Sequence, residues 1–287
     1  MRLVTFTRRG YASLGKLVGN EIVDLGSVPG LPRTMRQLLD GGQVLLARAH
    51  QLQPGDASTF ALADVRLEAP VEPSKYLAIG LNYRDHVAEA SRIGFKVPDT
   101  QLWFNKQVSC ITGPYDAVHM PAMSDMLDYE GELGVVIGRR CHRVSRENAR
   151  SVIAGYLVCN DVSVRDWQRR SPTMQLGKSF NTHGPIGPWI VTDDEVEDPH
   201  RLELRTLVNG ELRQQASTSE LIFDIFEQIA YLSTVMTLEP GDILATGTPS
   251  GVAAAMQPPR YLKVGDVVRV EIDGIGHIEN QVTKEPR

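Results

Sequence analysis

The chain has 287 residues, 42% hydrophobic and 23% charged, with a formal net charge of -5. That balance suits a globular enzyme with a sizeable core and lacks the broad basic footprint that nucleic-acid binding needs. An acidic chain that handles an anionic substrate must neutralise it locally, with a metal ion or a few placed cations.

From the N-terminus, short β-type runs alternate with turns: residues 3–7, 13–18 and, after Gly19-Asn20, 21–25. The opening ten residues, with Arg8 and Arg9, are too brief and polar for a secretory core. Thr34 with Gln37 three positions on has the spacing of a capping box. Leu38, Leu39, Leu45 and Leu46 supply an apolar helix face, interrupted by Gly41-Gly42. Pro54-Gly55-Asp56 breaks the chain, and Pro70 to Pro73 mark a boundary. We expect a small N-terminal accessory domain over 1–70, without a cluster of chemically able residues, and a catalytic domain over 71–287.

Beyond it, Ser145 can cap a helix ending near Gly155, and Asp224 another reaching about Ser233. Asn209-Gly210 and Asp273-Gly274 read as two-residue hairpins in a strand-rich C-terminal half. No apolar run approaches transmembrane length. Cys110, Cys141 and Cys159 are odd in number with no C-x-x-C pair, which disfavours a disulfide framework or structural zinc and suits a reducing compartment. A cytoplasmic protein with no nucleic-acid or membrane partner is expected.

Chemistry concentrates in four segments. Asp128-Tyr129-Glu130-Gly131-Glu132 continues into the apolar Leu133-Gly134-Val135-Val136-Ile137, so a strand would point Glu130 and Glu132 from one face. Two carboxylates so placed resist burial unless a cation or proton compensates them. Asp161 closes a second apolar run, Tyr156 onward, and completes a three-carboxylate set suited to a hard ion such as Mg²⁺, Mn²⁺ or Ca²⁺. A bare E-x-E is more often a solvated strand face; the apolar continuation argues otherwise. In Asn82-Tyr83-Arg84-Asp85-His86-Val87-Ala88-Glu89, helical spacing brings His86 beside Glu89, a carboxylate able to orient an imidazole as general base, although a surface ion pair has the same spacing. Gly80, Gly94 and Pro98 around it suggest an entrance segment able to move. Arg165, Gln168 and Lys178 are donors for a carboxylate or an oxyanion. The loop Thr246-Gly247-Thr248-Pro249 offers amides and the Thr248 hydroxyl to an anion.

In their order, Gly80-Leu-Asn-Tyr-Arg-Asp-His86, Tyr129-Glu-Gly-Glu132, Asn160-Asp161-Val-Ser-Val-Arg-Asp-Trp-Gln168, Gly177-Lys-Ser-Phe180, Gly184-Pro-Ile-Gly-Pro188 and Pro240 to Pro249 resemble the fumarylacetoacetate hydrolase family, over roughly residues 74 to 284. The resemblance implies an α+β, strand-rich fold, a mixed β-sandwich roll with a small N-terminal α+β domain, assembled as a homodimer. It places Glu130, Glu132 and Asp161 on the metal ligands, His86 and Glu89 on a water-activating dyad, and Lys178 on an active-site lysine. Arg165, Gln168 and Thr248 fall near substrate contacts. Gln107 stands where the family frequently has Pro, and Asn181-Thr182-His183 also departs from its pattern.

The expected reaction is metal-dependent hydrolysis of a carbon-carbon bond in a small anionic 2,4-dioxo acid of the acylpyruvate type. His86, assisted by Glu89, would activate water, and an enolate would form at a Mg²⁺ or Mn²⁺ site. The same enolate serves an oxaloacetate-type decarboxylase, an oxo-acid isomerase or a ureidoglycolate-like lyase. A non-catalytic metal-dependent binding protein and a serine hydrolase using Ser250 are the readings of other classes; Thr248-Pro249-Ser250-Gly251 lacks the G-x-S-x-G elbow.

Overall fold

The computed structural model describes residues 1–92 and 99–286; Gly94 and Pro98, part of the expected entrance segment, lie outside them. The N-terminal alternation forms β1 (Arg2–Arg8), β2 (Tyr11–Val18) and β3 (Glu21–Asp24). Thr34, in an extended conformation, accepts a hydrogen bond from Gln37 N and starts α1 (Met35–Asp40); the reciprocal half of the box is not formed. The chain breaks at Gly41 and continues as α2 (Gly42–Gln51), as the sequence suggests. Two short strands follow, β4 (Thr59–Ala61) and β5 (Arg66–Leu67). Next come β6 (Tyr76–Gly80), α3 (Arg84–Arg92), β7 (Leu102–Lys106), β8 (Ile111–Thr112), β9 (Val118–Met120) and β10 (Leu127–Asp128).

The apolar run after Glu130 is β11 (Gly131–Ile137), buried throughout. It pairs antiparallel with β12 (Ile153–Asn160). Then come β13 (Ser163–Val164), α4 (Arg165–Gln168), β14 (Gly184–Thr192), β15 (Glu203–Val208) and β16 (Glu211–Ser217). The chain closes with α5 (Ile225–Val235), β17 (Ile243–Ala245), β18 (Val267–Ile272) and β19 (Gly276–Lys284). A large mixed sheet runs β4-β3-β2-β1-β14-β12-β11-β17-β6-β7, with β17 and β6 parallel. The N-terminal strands thus extend that sheet through the pairing of β1 with β14. A second sheet runs β16-β15-β18-β19-β9.

The fold is therefore strand-rich α+β, and alternation along β11 layers it. Leu133, Val135 and Ile137 face the second sheet in one core with Leu204, Val268 and Val270. Val136 faces the opposite way, into a core shared with Leu38 and Leu39 of α1 and Ala49 of α2. Each fully buried aliphatic side chain contributes roughly 1.5–3 kcal/mol. Gly131 lets the sheets close, because a Cβ there would lie 2.2 Å from Thr206 Oγ1. Asn209 and Gly210, at φ 52° and 78°, form the expected two-residue turn between β15 and β16.

Three expectations are corrected. Residues 145–155 are not an α-helix. A 3₁₀ segment covers Arg146–Val152, and the Ser145 side chain caps nothing; its Oγ accepts from Asn148 Nδ2 at 3.1 Å. The strand expected from Asp128 is broken at Tyr129-Glu130. The turn at Asp273-Gly274 takes in Ile275 as well, since Ile272 pairs with Gly276. Asp224, by contrast, caps α5 in a full capping box with Glu227.

Candidate functional site

The β11–β12 register sets Gly131 opposite Asn160. One residue beyond the ladder, Asp161 N donates to Glu130 O at 2.8 Å, and Glu130 N donates to Asn160 Oδ1 at 3.0 Å. Gly131 presses on the second sheet, so Glu130 and Glu132 turn the other way. One carboxylate oxygen from each of Glu130, Glu132 and Asp161 lies within 4.8 Å of the others, and all three residues are buried.

Three cations close around them. Lys178 Nζ bridges Glu130 Oε2 and Asp161 Oδ2, the latter at 2.7 Å. Lys106 Nζ donates to the other Asp161 oxygen at 2.6 Å. Arg165 donates from Nε to Asp128 at 2.8 Å and pairs through Nη1 with Glu130 at 2.6 Å. Among the described residues, four buried carboxylates (Asp128, Glu130, Glu132, Asp161) thus meet three buried cations (Lys106, Arg165, Lys178), one short of balance.

The shortfall falls on Glu132, whose carboxylate takes a hydrogen bond from Gly247 N at 2.7 Å. Burial first, then Asp161 and Glu130, push its carboxyl well above the usual range. Burial would push Glu130 up too, but Arg165 and Lys178 outweigh it and hold that carboxyl down. Burial lowers the Lys178 ammonium, and Asp161 and Glu130 more than restore it. An all-oxygen donor set with one uncompensated negative charge fits a hard divalent cation.

α3 forms a wall of the cavity above this cluster. His86 Nδ1 lies 3.1 Å from Glu89 Oε2, and Gly251 N donates to Glu89 Oε1 at 2.9 Å. With a carboxylate at Nδ1 that nitrogen carries the proton, and Nε2 keeps its lone pair. His86, Glu89, Glu130, Glu132 and Lys178 line one cavity of roughly 680 Å³, counted to its open mouth. Asp161 lies beneath, against the two lysines.

The remaining expected residues differ in what they have left to offer. Arg165 Nη2 is buried with no protein partner among the described residues. Gln168 accepts from Arg165 through Oε1 at 3.0 Å, and its Nε2 meets only Met174 Sδ at 3.6 Å. The Thr248 hydroxyl donates to Gly131 O at 2.9 Å and accepts from Gln214 at 2.8 Å, so its proton is already committed. Gly247 N is likewise spent on Glu132 rather than on a free anion.

Sequence reasoning gave no role to Lys106, Asp128 or Asn160. Asp128 lies inside the Glu130 motif, and its signal is the acid preceding Tyr129. It accepts from Ala253 N at 2.8 Å and Ala254 N at 3.0 Å as well as from Arg165. Lys106 ends the strand Leu102–Lys106, where a lysine closing a half-buried run is the only sign. Ser250 hydrogen-bonds to no described histidine, as a serine nucleophile would require.

A family model described as fumarylacetoacetate (FAA) hydrolase C-terminal matches residues 75–283. An oxaloacetate tautomerase, mitochondrial, from Xenopus laevis is 41% identical over 290 residues, covering 98% of this chain and 90% of that protein. A maleylpyruvate hydrolase from Sphingobium sp. SYK-6, solved in complex with manganese(II) and pyruvate, superposes with a TM-score of 0.84 at 35% identity, covering 100% of both chains. A 5-carboxymethyl-2-hydroxymuconate delta-isomerase from Mycobacterium smegmatis gives a TM-score of 0.80 at 35% identity, over 99% of this chain and 100% of that one.

Proposed function

Because the chain belongs to the fumarylacetoacetate hydrolase family, whose members act on small oxo acids as hydrolases, isomerases or tautomerases, we propose that it is a metal-dependent tautomerase of a small 2-oxo acid. The carrying observation is that the His86–Glu89 pair and the acidic cluster share one cavity. Glu130, Glu132 and Asp161 would hold Mg²⁺ or Mn²⁺, which when bound supplies Lewis-acid stabilisation of charge on the oxo oxygen.

The side chains divide the rest of the work. Arg165 Nη2 and Gln168 Nε2, both short of good acceptors, orient the acid. His86 Nε2 takes a proton from the carbon beside the oxo group; that C–H pair becomes the new C=C bond, and the carbonyl π pair moves to oxygen. In the enol-to-keto direction water takes the hydroxyl proton, protonated His86 gives its Nε2 proton to carbon as the C=C pair forms that C–H bond, and the ring is reprotonated from water. Glu89 holds the ring and offsets its positive charge, and Lys178 offsets the charge gathered on oxygen.

Carbon-carbon hydrolysis is the second reading, with water rather than carbon as the group His86 deprotonates. The Sphingobium enzyme favours it. The test incubates oxaloacetate and a 2,4-dioxo acid separately with Mg²⁺ or Mn²⁺ and identifies products. Faster enol–keto equilibration of oxaloacetate, abolished by EDTA and restored by Mn²⁺, is expected. Splitting of the dioxo acid into two acids, with oxaloacetate unaffected, would replace the first reading by the second.

A further inference from the structure

Two neighbouring arginines leave α4 in different company. Arg170 lays its guanidinium on Trp167, 3.8 Å from the ring centroid, and reaches Asp166. Arg169 is exposed and lines the cavity, and its side chain makes no hydrogen bond or ion pair with any described residue. The other two Arg or Lys side chains of the described lining hold ion pairs, Lys178 with Glu130 and Asp161, and Arg165 with Asp128 and Glu130, which leaves Arg165 only its Nη2. Much of the remaining lining is apolar, including Ile79, Leu102, Phe104 and Val252. Among the described residues of the lining, Arg169 is therefore the one Arg or Lys without an ion-pair partner, in surroundings that would otherwise suit an uncharged tail.

Its place along the chain gives the direction. Arg169 keeps helical backbone angles at the end of α4, φ -79° and ψ -11°, so it stands one turn after Arg165 on the same face. Side chains four apart on a helix lie roughly 5–6 Å apart at Cβ. The buried Arg165 and the exposed Arg169 thus stand side by side at the cavity, one toward its floor and the other toward its open side.

We propose that Arg169 binds the distal carboxylate of the substrate, so that the site takes dicarboxylic 2-oxo acids in preference to monocarboxylic ones. This rests on the reading of the site as an oxo-acid enzyme and adds to it the charge of the substrate's far end. A planar guanidinium grips a carboxylate with two parallel N–H donors, whereas a lysine offers a point charge.

The experiment measures deuterium exchange at carbon 3 of oxaloacetate and of 2-oxobutanoate, its monoacid counterpart of equal length, in wild type, Arg169→Met and Arg169→Lys with Mn²⁺. A charge-assisted hydrogen bond at an accessible mouth is worth about 5- to 30-fold. Arg169→Met should lower the diacid-to-monoacid ratio of kcat/KM by that factor, chiefly through KM, and Arg169→Lys should keep part of it. Equal losses on both substrates, or an unchanged ratio, would overturn the proposal.

A second arm titrates the Mn²⁺-loaded protein calorimetrically with the unreactive analogues malate and 2-hydroxybutanoate. Wild type should favour malate, and Arg169→Met should lose that preference; no preference in wild type sinks the idea. If no 2-oxo acid exchanges in wild type, the tautomerase reading fails while this binding arm still decides the role of Arg169.

Discussion

Asp161 and Glu130 meet two lysines and an arginine inside the protein, each charge answered by another that is itself buried. His86 and Glu89, by contrast, ride on the surface of α3, their side chains 12% and 17% exposed. The floor of the cavity is thus an electrostatic network whose members depend on one another for burial, whereas the wall is a helix face presenting a single imidazole. Damage to the floor should appear in folding and metal affinity together. Damage to the wall should appear in turnover alone.

The largest effect should follow Asp161→Ala. It strips Lys106 and Lys178 of a shared partner, and breaking a buried pair from one side costs about 3–5 kcal/mol. Denaturant unfolding should show that loss without added metal, and calorimetry should show Mn²⁺ binding abolished. Glu132→Gln separates the two properties. Glu132 forms no ion pair among the described residues and holds its carboxyl above the usual range, so an amide should leave metal-free stability within about 1 kcal/mol while metal binding fails. Equal destabilisation by both substitutions would break the picture of the floor.

On the wall, His86→Ala should lower kcat by about 10²–10⁴-fold. Mn²⁺ affinity and unfolding midpoint should stay near wild type. Glu89→Gln is more informative than its size suggests. The amide oxygen would keep the bond from Gly251 N, turning its NH₂ toward His86 Nδ1. That forces the proton onto Nε2, where the base needs a lone pair, and turnover should fall about as far as in His86→Ala. A Glu89→Gln enzyme with wild-type kcat would remove the pair from the chemistry.

What could be read beforehand follows the same division. Glu130, Glu132 and Asp161 were legible because each ends or interrupts an apolar run, a local signal that burial without compensation is forbidden. His86 and Glu89 were legible from helical spacing. Lys106 and Arg165 find Asp161 and Asp128 across 55 and 37 positions of chain, and no periodicity announces such partners. The Ser145 cap failed because the segment after it takes the tighter 3₁₀ path, and its hydroxyl oxygen meets Asn148 Nδ2 in place of a backbone N–H. The shared sheet was hidden because the pairing of β1 with β14 joins residues near 190 to the first strand.

Behind the floor lies a histidine whose effect should be intermediate. His183 is buried, its Nε2 donating to His119 O at 2.8 Å, and burial pushes its pKa down to about 4. Between about pH 6.5 and pH 4 the unfolded chain binds the extra proton, so stability rises with pH there and is lost as pH falls through the window. The total is about 3 kcal/mol. His183→Phe should be the less stable protein at neutral pH, by roughly the 1 kcal/mol of one hydrogen bond. It should draw level or pass wild type toward pH 4.5. Parallel pH curves for the two proteins would show that His183 is not the titrating group.

The smallest effect concerns Thr248, where the contrast between floor and wall decides what one hydroxyl is for. Its proton goes to Gly131 O and its oxygen accepts from Gln214 Nε2, which also donates to Pro249 O at 2.9 Å. The hydroxyl therefore braces the loop whose Gly247 amide holds Glu132, and has no proton to give a substrate. Thr248→Val keeps the shape and leaves the Gly131 carbonyl short of a donor, which should cost about 1–2 kcal/mol. KM for an oxo acid should move less than threefold, and Thr248→Ser should restore stability. A tenfold rise in KM with an unchanged unfolding midpoint would instead make the hydroxyl a substrate contact, and would move Thr248 from the braced floor to the working surface of the cavity.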